Sequence, residues 1–128
     1  MDNLKVGMTN KVEWEVTEAR TTARGEYKIF STPSMTLLIE GACHQLVAPH
    51  LKPGQGQVGV SVTVRHMGPT PLGKKVWAEA ELTAIDRRKL SFKVKVFDEV
   101  EQVGESEHDR FVIDLDKYME RLRKKING

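Results

Sequence analysis

Apolar residues recur along this chain at two different periods, and the changes of period divide it into elements. Val12-Glu13-Trp14-Glu15-Val16 alternates apolar and polar residues, as a strand with one face on a core does. Residues 17–30 lose that alternation in a polar stretch containing Gly25, which reads as a strand end followed by a loop. Ser31-Thr32-Pro33 then marks a helix start. A hydroxyl there caps free backbone N–H groups, with Thr32 able to serve, and proline already has the φ of a first helical position. The helix should run to about Ala48, ended by Pro49 and by Lys52-Pro53-Gly54. Its apolar rows, Leu38, Ala42, Leu46 and Met35, Ile39, Cys43, cover much of the circumference, so it must be buried on most sides.

Residues 58–66 return to a period of two, with valines at the even positions and His66 on the valine face. Three more strands follow. Residues 76–85 turn Val76, Ala78, Ala80, Leu82 and Ala84 inward, residues 90–97 turn Leu90, Phe92, Val94 and Val96 inward, and residues 103–113 close the series. Asp86-Arg87-Arg88-Lys89 joins the first two as a hairpin. Leu115, Tyr118, Met119, Leu122 and Ile126 then form one stripe of a short C-terminal helix. This order predicts an α+β fold in which one long helix lies against a single curved antiparallel sheet. One sheet cannot wrap a helix that is apolar nearly all round, so a homodimer is expected.

Composition narrows the class. At 128 residues, 39% hydrophobic and 30% charged, the chain fits one soluble domain over residues 1–128 with enough length for a core. A formal charge of +2 is too small to imply a nucleic-acid partner, and the basic run from Arg121 to Lys125 reads as a solvated helix end. Cys43 is the single cysteine, which excludes an internal disulfide and fits a reducing cytoplasm. The stretch Met1-Asp2-Asn3-Leu4-Lys5 lacks the apolar run of a signal peptide, and no segment approaches membrane-spanning length. The expectation is a cytoplasmic protein with no membrane partner.

Candidate chemistry centres on Glu40, which sits in the most apolar stretch of the chain with no lysine or arginine near it in sequence. Taking a carboxylate out of water without a partner costs several kcal/mol or forces it to take a proton. Thr36, Glu40 and His44 are spaced four apart and share one helix face. Thr36 and His44 read as a water-facing seam, whereas Glu40 is flanked by apolar residues and by Gly41, which leaves space for a ligand. No further histidine or carboxylate cluster supports a metal site. His66 closes the valine ladder just before a Gly/Pro-rich loop, a position that suits a functional residue. Cys43 lacks an evident activating partner and reads as a small hydrophobe.

These residues match a family pattern. Thr32-Pro33 with Met35 and Glu40, then Pro53-Gly54, Gly56, Val58-Gly59, Val64, His66, Thr70-Pro71 and Gly73, then His108-Asp109-Arg110, resembles the hot-dog fold thioesterases of the fluoroacetyl-CoA thioesterase type. The resemblance runs from about Val6 to Lys117. It implies a hot-dog fold, a homodimer or dimer of dimers with sites at the subunit interface, and hydrolysis of acyl-CoA thioesters with no cofactor beyond the CoA of the substrate. It implies catalytic roles for Thr32, Glu40 and His66, and acyl-group recognition by Gly59 and Arg110. One departure is that residues 21–30 are shorter than the aromatic lid region of the fluoroacetyl-specific type.

Helix geometry constrains that site. Eight residues of helix rise about 12 Å, too far for Thr32 and Glu40 of one helix to touch, so a shared site takes one of them from the partner. Glu40 would act as general base on water or attack directly, His66 would donate to the carbonyl oxygen or the thiolate, and Thr32 would orient either or attack itself. A hydratase or dehydratase acting on enoyl-CoA, or a non-catalytic acyl-CoA binding module, would share the fold.

Overall fold

The computed structural model describes residues 3–128; Met1 and Asp2, at the head of the stretch read for a signal peptide, lie outside them. Strand β1 (Thr9–Glu15) leads to β2 (Thr21–Arg24) and β3 (Tyr27–Phe30), then helix α1 (Thr32–Val47). Strands β4 (Gln55–His66), β5 (Lys75–Asp86), β6 (Lys89–Asp98) and β7 (Gln102–Asp114) follow, and helix α2 (Leu115–Asn127) ends the chain. Five strands form one antiparallel sheet in the order β1-β5-β6-β7-β4. The expected helix on a single antiparallel sheet is therefore what forms. Among the described residues no helix is long and apolar enough to cross a membrane.

Helix α1 lies on one face of the sheet, closest to β1 and β5. Met35, Leu38, Ile39, Ala42, Cys43, Leu46 and Val47 pack onto Val76, Ala78, Ala80, Leu82, Phe92, Val94 and Val96 to form the core. Asn10 Nδ2 on β1 donates to the Ala42 carbonyl at 3.0 Å, fastening the helix to that side. The expectation of burial on most sides holds only in part. Leu37 is 62% exposed, and Thr32, Pro33, His44 and Gln45 are also exposed.

The opposite face of the sheet carries charge in rows. Lys11, Glu79, Lys95, Glu105 and Arg65 are neighbours across all five strands, alternating in sign, and Arg65 Nη1 meets Glu105 Oε1 at 2.6 Å. Opposite charges directly across strands stabilise the pairing, and they keep this face in water. The candidate residues Gly59, His66 and Arg110 lie on the other, helix side.

Four sequence expectations are corrected. Thr32 is not the helix cap: Ser31 is, its hydroxyl accepting from Ser34 N–H at 3.2 Å, which leaves Thr32 as the first helical residue with its own hydroxyl free for another partner. The valine ladder is not one face. A bulge between Gly59 and Ser61 absorbs Val60, so Val58 pairs with Phe111 on the outer side while Val62, Val64 and His66 face the helix side. A second register shift, between Leu82 and Ala84, turns Ala84 outward and Ile85 inward. Residues 17–30 are not a plain loop. After a single 3₁₀ turn they form the β2–β3 hairpin, pinned by Phe30 N–H to Thr70 O at 2.8 Å and Leu72 N–H to Lys28 O at 3.0 Å. Only Phe30 of the two short strands is buried, and Arg24, Tyr27 and Lys28 are exposed, so there is no period of two to read.

Helix α2 is capped by Asp114, whose Oδ1 accepts from the N–H groups of Asp116 at 3.1 Å and Lys117 at 3.4 Å. Its apolar stripe forms with the expected spacing, but no residue of the helix is buried in this chain.

Candidate active site

Two clusters of functional side chains lie on the helix side of the sheet. The first joins the start of α1 to the end of β4: Thr32 Oγ1 and His66 Nδ1 are hydrogen-bonded at 2.8 Å. The Ser31 cap makes this possible, because Thr32 turns its hydroxyl outward instead of back onto the helix. Thr32 is exposed, while His66 lies behind it with Nε2 out of water and without a hydrogen-bond partner among the described residues. Burial lowers the His66 pKa from its ordinary 6.5, with the Gly68 backbone opposing, so the ring is neutral at neutral pH. An exposed hydroxyl bonded to a neutral imidazole is an arrangement in which the ring can accept the hydroxyl proton.

The second cluster lies further along α1. Gly59 on β4 pairs with Arg110 on β7, and their side-chain positions share the helix side. A Cβ at position 59 would lie 3.1 Å from Glu40 Oε1, 3.3 Å from His108 Cε1 and 3.5 Å from Arg110 Nη1. A side chain there would fit only if these groups gave way by a few tenths of an ångström. Glu40, half-buried, has a cation near it after all: Arg110, seventy positions away in sequence, close enough for the Glu40 charge to raise the arginine pKa against the lowering by burial.

Arg110 is itself buried, and three acceptors fix its fork. Nε donates to Gln57 Oε1 at 2.7 Å, Nη1 to His108 Nε2 at 3.1 Å and Nη2 to His44 Nδ1 at 3.4 Å. His44 is thus exposed, as a water-facing seam requires, but its ring is also turned to the arginine. Thr36 closes its hydroxyl onto the Thr32 carbonyl at 3.0 Å. Cys43, buried beneath this cluster, has its thiol pushed up to about 12, mainly by burial, and stays protonated as a small apolar group.

The five residues proposed from sequence therefore divide, Thr32 with His66 and Glu40 with Gly59 and Arg110. Gln57 and His108 were not proposed as site residues, and His44 was read only as part of a water-facing seam. Only His108 left a signal: it stands two positions before Arg110 in a strand, so the two side chains share a face.

The architecture is that of a hot-dog fold. A hot-dog-like protein from Thermanaerovibrio acidaminovorans superposes with a TM-score of 0.90 at 20% identity, covering 96% of this chain and 93% of that one. A fluoroacetyl-CoA thioesterase structure superposes with a TM-score of 0.88 at 33% identity, over 97% of this chain and 98% of that one. The fluoroacetyl-CoA thioesterase of Streptantibioticus cattleyicolor is 39% identical over 98 residues, 77% of this chain and 70% of that protein. The family model for fluoroacetyl-CoA-specific thioesterases matches residues 6–116. The chain belongs to that family.

Proposed function

We propose that this protein is an acyl-CoA thioesterase that hydrolyses a thioester to a carboxylic acid and free CoA in a homodimer. Its site would join Thr32 and His66 of one protomer to Glu40, Gly59 and Arg110 of the other. The observation that carries this is the 2.8 Å bond from exposed Thr32 to buried, neutral His66, with Glu40 eight residues further along the same helix. One helix holds the two groups about 12 Å apart, so a single thioester carbonyl meets both only across an interface. The edge strand supports that interface. The outer edge of β4 is unpaired in this chain, Val60 is 52% exposed, and Leu37 stands uncovered on the adjacent helix. A long bare edge with apolar residues beside it calls for a second strand.

In the acylation step Thr32 Oγ attacks the thioester carbon while His66 Nδ1 takes the hydroxyl proton. The C–S bond then breaks, and the imidazolium returns the proton to the departing thiolate. In the second step Glu40 takes a proton from water, whose oxygen attacks the acyl carbon; the bond to Thr32 Oγ breaks, the acid leaves and the Glu40 proton passes to the threonine oxygen. The bulge at Val60 interrupts strand pairing beside Gly59, which makes the backbone N–H groups there the donors for the oxyanion.

A second reading is favoured by the place of Glu40 against Gly59 and Arg110: water is activated by Glu40 and attacks the thioester in one step, with Thr32 orienting His66. Thiol release from a panel of acyl-CoAs tests the activity, and rapid quenching followed by mass analysis separates the routes. An acyl group on Thr32 marks the first. Its absence, with Thr32→Val retaining turnover, marks the second, and no thiol release from any thioester refutes the proposal. Turnover of enoyl-CoA, or binding without turnover, would indicate the hydratase or the binding module instead.

A further inference from the structure

We propose that His108 is a positioning residue for acyl recognition: its ring holds the Arg110 guanidinium toward Gly59 and Glu40 and ties it to the β4 backbone. This rests on the thioesterase reading and adds to it a residue that does not touch the reacting atoms.

The tautomer follows from the two hydrogen bonds. An arginine N–H donates only, so His108 Nε2, 3.1 Å from Arg110 Nη1, must present its lone pair. The proton then sits on Nδ1, where it is donated to the Ser61 carbonyl at 2.7 Å. Ser61 is the residue that resumes the strand after the Val60 bulge. One buried imidazole thus bridges the bulge beside Gly59 and the guanidinium that faces it. Gln57 fixes Nε, and His44 reaches Nη2 only at 3.4 Å from the exposed side of the helix. His108 is accordingly the buried acceptor that sets the rotation of the fork's Nη1 end.

A second proton on His108 would place an N–H against an N–H of a permanent cation and release the fork. The groups that face the ring are few. Helix α1 presents Glu40, β7 presents Arg110 and Asp109, β4 presents the Ser61 carbonyl, and β6 presents the apolar Phe92 ring with centroids 6.2 Å apart. Burial, the largest influence, opposes the extra proton, as does Arg110; the Ser61 carbonyl, Glu40 and Asp109 favour it, and the net effect puts the pKa below 6.5. Arg110 is therefore held at neutral pH and freed only where the ring takes its second proton, at a pH below 6.5.

The test compares wild type with His108→Gln, whose side-chain oxygen accepts from Arg110 without titrating, and with His108→Leu, which offers no acceptor. The kcat/KM profile of the wild type should fall toward acid with a component missing from His108→Gln. His108→Leu should lose about tenfold in kcat/KM at neutral pH, mainly through KM. Imidazole ¹⁵N signals give a readout that needs no turnover. His108 should show the Nδ1–H tautomer in wild type, and that lock should be lost in Arg110→Met. An Nε2–H tautomer, a cationic ring at neutral pH, or an acid limb unchanged in His108→Gln would each overturn the proposal. Failure of the wild type to hydrolyse any thioester would refute the thioesterase reading alone, since the ¹⁵N signals still decide the role of His108.

Discussion

The two clusters on the helix side are built by different means. Thr32 and His66 are a pair made by one hydrogen bond between a helix start and a strand end. Around Glu40, by contrast, Gly59, Gln57, His44, His108 and Arg110 are drawn from α1, β4 and β7, and buried charge there is held by three acceptors on one guanidinium. The first cluster is suited to moving a proton, since a neutral base sits behind an exposed hydroxyl. The second is suited to fixing a bound group beside the Glu40 carboxylate, because three acceptors hold its guanidinium and its glycine leaves room beside them. The single helix that carries Thr32 and Glu40 also keeps them apart, so the proposed site needs a dimer.

Substitutions that strike one cluster and spare the other sharpen this contrast. Glu40→Gln keeps the shape of the second cluster but removes its base, and should lower kcat by about 10³-fold with little change in KM, measured by thiol release under saturating substrate. His66→Ala removes the base of the first cluster and should cost about 10²-fold in kcat. Full activity in either variant would break the division of labour. Gly59→Ala should act on the second cluster without touching a reacting group. Its Cβ would meet Glu40, His108 and Arg110 at 3.1–3.5 Å, and those side-chain ends can shift. We expect a loss of about tenfold in kcat/KM with a stability change of about 1 kcal/mol or less, from kinetics and thermal melts in parallel.

The smallest effect is on stability against pH, and it separates the clusters by histidine. His66 and His108 both have folded-state pKa values below the ordinary 6.5, chiefly through burial. The unfolded chain therefore binds more protons than the native one once the pH falls below about 6.5, and stability declines from there until the lowered values are passed. Melting temperature should drop from neutral pH into mild acid. The drop should be shallower in His108→Gln, whose replacement does not titrate; an equal slope would mean that His108 is not buried neutral.

Much of this arrangement is legible in the sequence. The helix start at Ser31-Thr32-Pro33 and the alternating strands follow from local periodicity, and Glu40 is conspicuous because nothing near it in sequence neutralises it. The division of labour at the helix start is less legible, since Ser31 and Thr32 are both able to cap and only the fold shows which one does. The bulges at Val60 and Thr83 each reverse the alternation beyond them, and a single extra residue leaves no mark in a pattern of valines and alanines. The cage around Arg110 is illegible for another reason. Gln57, His44 and His108 come from three elements, and their convergence depends on register, which only strand pairing sets.

The central claim, one site made from the first cluster of one protomer and the second cluster of its partner, is tested most directly by mixing two inactive variants. Thr32→Ala and Glu40→Gln, each inactive alone, are unfolded together, refolded as a mixture and assayed for thiol release, with subunit exchange verified by mass-tagged chains. Random pairing in a two-fold dimer predicts recovery of about a quarter of wild-type activity, because half the dimers carry one intact site of two. Verified exchange with no recovery would place Thr32 and Glu40 of the same protomer in one site and contradict the account.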